Sequence, residues 1–254
     1  MSAVVEVANV RKRYRQVDPW AVDGVSFEVQ PGRAFGLLGP NGAGKSSLVK
    51  MITALTRPTS GTVRVFGSSP VEPDVRARIG FAPEDPDFPK YLRAGEVLDY
   101  FGTLLGLSGT ERRRRIPEVL AWSSLEGERR QVRGFSKGMK QRLGLAQAIL
   151  GRPDLLILDE PTADLDPMGR RDVRTLISGL KAQGTTILLN SHLLSEVERV
   201  CDEVAIMSRG RVIKQGPMDE LVPEGKSLEE VFMDAVAATS TATALPGFIA
   251  GHGA

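Results

Sequence analysis

The stretch Ala34-Phe35-Gly36-Leu37-Leu38-Gly39-Pro40-Asn41-Gly42-Ala43-Gly44-Lys45-Ser46-Ser47-Leu48-Val49-Lys50-Met51-Ile52 decides the reading of this chain. Its first five residues are a continuous apolar run, as in a strand buried on both faces. From Ser47 to Leu55 the apolar residues recur at helical spacing. Between strand and helix, Gly39 to Ser46 is a full match to G-x-x-x-x-G-K-[ST], in the context that gives the motif its meaning. Glycines let the backbone curl so that successive N–H groups face a phosphate. The helix N-terminus adds the positive end of its dipole. Gly39, Pro40, Asn41, Gly42, Ala43, Gly44 and Ser47 are therefore candidate nucleotide contacts. Lys45 is placed to reach the β- and γ-phosphates, and the Ser46 hydroxyl to ligate Mg²⁺.

Outward from this stretch, short β-like runs alternate with helical segments, which predicts an α/β fold. Strands are expected at Val25–Val29, Thr62–Phe66, Leu155–Leu158, Thr185–Leu189, Val204–Met207 and Arg211–Lys214, and a helix at Arg171–Lys181. Two carboxylates, Asp159 and Glu160, close the run Leu155-Leu156-Ile157-Leu158. Ligand chemistry in open α/β sheets sits at that end of the strands. Asp159 suits Mg²⁺ and Glu160 suits polarising an attacking water. Residues 85–150 show helical runs and no clear buried strand, and read as an inserted helical subdomain. Its run Arg112-Arg113-Arg114-Arg115 reads as a solvated face.

The chain has 254 residues, 33 Lys+Arg against 31 Asp+Glu, a net charge of +2 and 41% hydrophobic residues. These are globular values and exclude collagen-like, disordered and disulfide-scaffold classes. Near-neutral charge gives no reason to expect specific binding to nucleic acid. One cysteine, Cys201, reads as a small buried residue and predicts a reducing, cytoplasmic setting. No apolar run reaches the roughly 18 residues that span a bilayer, and the N-terminus lacks a signal-peptide pattern. Work at a membrane would require docking onto another protein's helices. From Ala235 the chain is Ala/Thr/Gly-rich and poor in large apolars, which predicts a domain over 1–234 and a poorly ordered tail over 235–254.

Upstream of Asp159 stands Arg133-Gly134-Phe135-Ser136-Lys137-Gly138-Met139. Together with the glycine loop, it makes the chain resemble the ATP-binding cassette ATPases, the nucleotide-binding subunits of ABC transporters, over roughly residues 4–234. The family's signature is L-S-G-G-Q; here Ser136 and Gly138 match and the other three positions depart. The form F-S-K-G-M is similar to that of cassettes paired with ABC-2-type permeases, many of them exporters. The resemblance implies a P-loop NTPase core with a mixed sheet, an N-terminal antiparallel β-subdomain and the helical insert. It also implies a head-to-tail pair of copies in which Ser136 and Gly138 of one contact the γ-phosphate held by the other. Met139 cannot supply the contact of the family's Gln side chain. Pro161-Thr162-Ala163-Asp164-Leu165-Asp166 resembles the D-loop, with Asp166 at the matching carboxylate. Asn190-Ser191-His192 resembles the switch histidine, whose imidazole is placed to hydrogen-bond the γ-phosphate. Ile79 to Glu84 resembles the Q-loop, with Glu84 in place of Gln as a candidate magnesium ligand.

Tyr14 matches the aromatic that stacks on adenine, and equally suits packing on the first strand. Ser136 equally suits a helix N-cap. The implied function is an ATP- and Mg²⁺-dependent ATPase driving a separately encoded permease at the inner face of the cell membrane. A regulatory ATPase acting on ribosomes or DNA is the alternative. Ser136 lies only 90 positions beyond Ser46, too few for the long coiled coil that such proteins insert there.

Overall fold

A computed structural model describes residues 2–239. Strand β1 (Val5–Lys12) pairs antiparallel with β2 (Val22–Val29), and the chain then enters β3 (Ala34–Leu38), the glycine loop and helix α1 (Lys45–Ile52). Strand β4 (Ser60–Val65) returns to the other edge of β1, giving a small antiparallel sheet ordered β2-β1-β4. Helix α2 (Pro73–Arg76) leads to β5 (Ile79–Ala82), after which come α3 (Ala94–Leu104), α4 (Gly109–Trp122) and α5 (Lys137–Leu150). Strand β6 (Leu155–Asp159), α6 (Pro167–Ala182), β7 (Thr186–Asn190), α7 (Leu194–Val200), β8 (Glu203–Ser208) and β9 (Arg211–Pro217) follow, then α8 (Met218–Leu221) and α9 (Leu228–Thr239). The main sheet is ordered β5-β6-β7-β3-β8-β9, parallel except for β9. The fold is thus the mixed-sheet P-loop NTPase architecture with an antiparallel N-terminal sheet.

Burial on both faces explains why the central strands are continuous apolar runs. Phe35, Leu37, Leu155, Ile157 and Leu188 point to a core shared with α1 and the antiparallel sheet. Leu38, Leu156, Leu158, Ile187 and Leu189 point the other way, onto α6, α7 and α9. Each fully buried Leu or Ile contributes about 1.5–3 kcal/mol relative to exposure. A third core joins α3, α4 and α5 through Val97, Leu98, Val119, Leu143 and Leu150. Helix α5 gives Leu145 and Ala148 to the second core and Leu143 and Ala146 to the third, so it couples the helical segment to the sheet.

Several expectations are corrected. Strand β1, the centre of the antiparallel sheet that the resemblance implied, has no counterpart among the runs read as strands. A register shift between Val7 and Val10, with Asn9 at φ 47°, breaks the alternation that would announce it. The arginine run is only half a solvated face. Arg112 bonds Asp99 and the Leu107 carbonyl, and Arg115 donates to the Leu150 carbonyl, so these two tie α4 to its neighbours. Helix α9 carries the chain through Ala235 to Thr239; the rest of the segment read as a tail lies outside the described residues. Cys201 is buried, and burial pushes its thiol far above the ordinary range.

Candidate functional site

A cleft of about 620 Å³ opens at the C-terminal ends of β3, β6 and β7. It is lined by the whole loop from Gly39 to Ser47, by Glu84, Glu160, Asn190 and His192, and by Ala21, Leu194 and Phe232. Gly44 takes φ 103°, and a Cβ there would lie 2.2 Å from the Ala21 carbonyl oxygen, so only glycine fits. The loop is braced from outside by the Gly210 N–H, which donates to the Ala43 carbonyl at 3.0 Å.

Lys45 opens α1 with its side chain buried, and Nζ donates to the carbonyls of Gly39 at 2.7 Å and Pro40 at 3.4 Å. Burial lowers its pKa; Glu160, Asp159 and Glu84 oppose that shift. One ammonium is therefore faced by three carboxylates. Burial, with Glu84 and Glu160, also holds the Asp159 carboxyl above its ordinary value, against the lowering effect of Asn190 and Lys45.

Asp159 ends β6 and pairs in register with Asn190 at the end of β7. The Asn190 Nδ2 donates to Asp159 Oδ1. Glu160 follows with φ 50°, a left-handed conformation that costs a non-glycine residue about 1–3 kcal/mol. Its N–H donates to the Asn190 carbonyl at 2.8 Å. Its Oε2 accepts from the His192 N–H at 3.2 Å and the Ser191 hydroxyl at 3.4 Å, and lies 2.7 Å from His192 Nδ1. The strained backbone thus carries the carboxylate to the loop after β7.

Of the remaining predicted residues, Tyr14 reaches the cleft through Ser47, whereas Ser136, Gly138 and Asp166 lie apart from it within one chain. Tyr14 is exposed at 57%; its hydroxyl lies 3.0 Å from the Ser47 hydroxyl, and Lys12 Nζ, at the end of β1, sits 5.0 Å from its ring centre. Ser136 caps α5, accepting from the Met139 N–H at 3.2 Å. Asp166 caps α6, accepting from the Gly169 N–H at 2.7 Å. Gly138 packs closely on the D-loop backbone: a Cβ there would lie 3.2 Å from the Asp164 carbonyl oxygen, and Lys137 bridges to Asp164 at 2.9 Å. Sequence reasoning missed Asn190, Leu194 and Phe232 as lining residues. Asn190 had a signal, since a polar residue ending an all-buried strand is unusual; Phe232 had none, because α9 meets the cleft only through the fold.

The arrangement fits a nucleoside triphosphate carried with a divalent cation. A glycine cradle with a buried ammonium suits phosphates, and the surplus carboxylates call for added positive charge. Among the described residues no three His, Cys, Asp or Glu side chains close on a preformed metal site.

Fold and cleft together define a P-loop nucleotide-binding protein. A family model described as ABC transporter matches residues 22–163. An uncharacterized ABC transporter ATP-binding protein of Nostoc sp. is 41% identical over 229 residues, spanning 87% of this chain and 68% of that protein. The Nod factor export ATP-binding protein I of Cupriavidus metallidurans is 41% identical over 243 residues, spanning 92% and 78%. A solved ATP-binding subunit of an ABC transporter superposes with a TM-score of 0.83 at 33% identity, over 91% of this chain and 99% of that one. A dimeric cassette in a post-hydrolysis state, bound to ADP and Pi, gives 0.78 at 25% identity, over 84% and 98%. The chain belongs to the ABC transporter family as an ATP-binding subunit. Members of this family bind ATP with magnesium. No helix among the described residues is long and apolar enough to cross a membrane.

Proposed function

We propose that this subunit hydrolyses ATP within a head-to-tail pair of copies and so drives a separately encoded ABC-2-type permease, in the export direction, from the cytoplasmic face of the membrane. The observation that carries this reading is the division of the family's motifs. Lys45, Ser46, Glu160 and His192 line one cleft, with Asp159 held behind it by the lining residue Asn190, while Ser136, Gly138 and Asp166 lie apart from it. A second copy supplies the missing half. The dimeric cassette bound to ADP and Pi and the relatives that export Nod factor support the pairing and the direction.

In this reading the loop amides and Lys45 hold the β- and γ-phosphates, and Ser46 and Asp159 hold magnesium with Glu84 at its edge. Bound magnesium supplies charge neutralisation at the phosphate oxygens. Glu160 Oε1 accepts none of the hydrogen bonds that fix Oε2, so it is the oxygen left to orient water toward the γ-phosphorus. His192 holds the carboxylate in place. Tyr14 stacks on adenine. Loss of the bridging γ-phosphate releases the pair, and the permease follows that cycle.

The test is the oligomeric state of Glu160→Gln with Mg-ATP, with and without Ser136→Asp. A dimer that forms on adding ATP and disappears with the second change supports the reading. A chain that stays single with Mg-ATP, even beside its permease, overturns it. Co-purification with a polytopic membrane protein, rather than ribosomes or DNA, tests the partner.

A further inference from the structure

Asn190 is the polar residue of the cleft that the family's motifs leave without a task. It ends the central strand β7, in register with Asp159 on β6 and with Leu37 on β3, the strand that feeds the glycine loop. Its side chain is buried, with 2% exposure. One half of the amide is committed: Nδ2 donates to Asp159 Oδ1. The other half is not: Oδ1 is buried and has no hydrogen-bond partner. Among the described residues, unpartnered buried side-chain atoms occur on Arg115, Gln141 and Asn190, and only Asn190 lines the nucleotide cleft.

The chemistry fixes the orientation of the amide. An ionised carboxylate only accepts, so Asn190 must turn its NH₂ to Asp159 and its carbonyl away. A buried carbonyl without a donor is disfavoured, and such groups in folded proteins have a reason to be tolerated. The donor this cleft is built to receive is a water in the shell of a magnesium ion, since magnesium keeps several of its waters when bound.

We infer that Asn190 is a positioning residue for the metal: Nδ2 fixes the rotamer of the Asp159 carboxylate, and Oδ1 accepts from a metal-bound water. This rests on the nucleotide-binding reading of the cleft and extends it to a residue outside its motifs. Groups that orient metal ligands from behind set metal affinity by about 10- to 100-fold.

The test separates metal from nucleotide. Mn²⁺ affinity is measured by electron paramagnetic resonance on the full chain loaded with a non-hydrolysable ATP analogue, and affinity for the same analogue is measured in EDTA. Asn190→Leu keeps the branched shape and removes both polar atoms; Asn190→Ala removes them without adding bulk, which keeps the test open where leucine disturbs the strand. Both variants should lose about 10- to 100-fold in Mn²⁺ affinity while metal-free analogue affinity stays at the native level. Native Mn²⁺ affinity in both variants overturns the inference. So does a parallel loss of metal and metal-free affinity, which would make Asn190 a structural support of the cleft. A native chain that fails to bind the analogue at all would instead overturn the nucleotide reading.

Discussion

Lys45 is buried behind a glycine loop and faced by three carboxylates. Ser136 stands exposed at the start of α5, bonded only to the backbone of its own helix. In the proposed pairing both serve one phosphate, yet they are built differently. The Lys45 side is preorganised: a buried charge needs hydrogen-bond partners, and here the loop's own Gly39 and Pro40 carbonyls supply them. The Ser136 side is a capped helix end with one close packing contact, Gly138 against Asp164. Groups of this kind cost little to leave in water, so nothing in the chain itself drives their burial. The contrast teaches that burial builds the Lys45 side into the fold, whereas the Ser136 side is a local cap that becomes part of a site only in the proposed pairing.

The contrast can be broken from the buried side first. Glu160→Gln keeps the shape of the side chain and removes the acceptor charge. Turnover should fall by about 10²- to 10⁴-fold, the range of a general base, with ATP affinity retained; phosphate release and equilibrium binding read the two separately. Normal turnover would remove Glu160 as the base. Lys45→Ala comes next. The change deletes an ammonium that donates to the Gly39 and Pro40 carbonyls, a charged donor whose bonds are worth about 1.5–3 kcal/mol, and removes the positive charge that acts on Asp159, Glu160 and Glu84. ATP binding measured by calorimetry should weaken to match, and unchanged affinity would refute the cradle role. The Asp159 carboxyl, already raised by burial and its acidic neighbours, should rise further. A carboxyl raised in the folded state contributes a penalty that grows as pH climbs from its unfolded value to its folded one. Lys45→Ala should therefore lose more stability between acid and neutral pH than the native chain does, as followed by thermal melting.

The exposed side sharpens the comparison through a pair of variants. Ser136→Ala removes the cap of α5 and should cost about 1 kcal/mol of stability. Ser136→Asp keeps a capping oxygen but puts a negative charge where a γ-phosphate would arrive. Stability should hold in the aspartate variant while turnover and ATP-driven pairing are lost. An aspartate variant with full turnover would leave Ser136 as a cap alone.

Legibility in the sequence follows the same division. Gly39 to Ser46, Asp159 and Glu160 were readable because buried parallel strands write themselves as apolar runs with their chemistry at the ends. Ser136, Gly138 and Asp166 were readable only through resemblance, since each also has an ordinary local use. The structure shows that use for the caps Ser136 and Asp166. Strand β1 was hidden by its bulge at Asn9. Arg112 and Arg115 were misjudged because charge patterning does not show which guanidinium will find a carbonyl across a helix interface. Phe232 became visible only when α9 was brought to the glycine loop, whereas Asn190, the polar end of an all-buried strand, carried a signal that went unread.

Tyr14 gives the smallest expected effect and the finest division. Its ring is exposed, while its hydroxyl meets Ser47 on the first turn of α1, directly after the loop that cradles phosphate. The ring and the hydroxyl therefore do separable things. Tyr14→Ala loses the stacking surface, worth about 1–3 kcal/mol per base, and should weaken ATP binding by the corresponding factor while inorganic triphosphate binding holds. Tyr14→Phe keeps the ring and loses only the bond to Ser47, an exposed interaction worth about 0.5–1.5 kcal/mol at most. ATP affinity in the phenylalanine variant should fall no more than a few-fold, within that energy. Equal losses in the two variants would assign the effect to the hydroxyl and take adenine stacking away from Tyr14. Unchanged affinity in both would return the residue to the surface of β1, where Lys12 already holds one face of its ring.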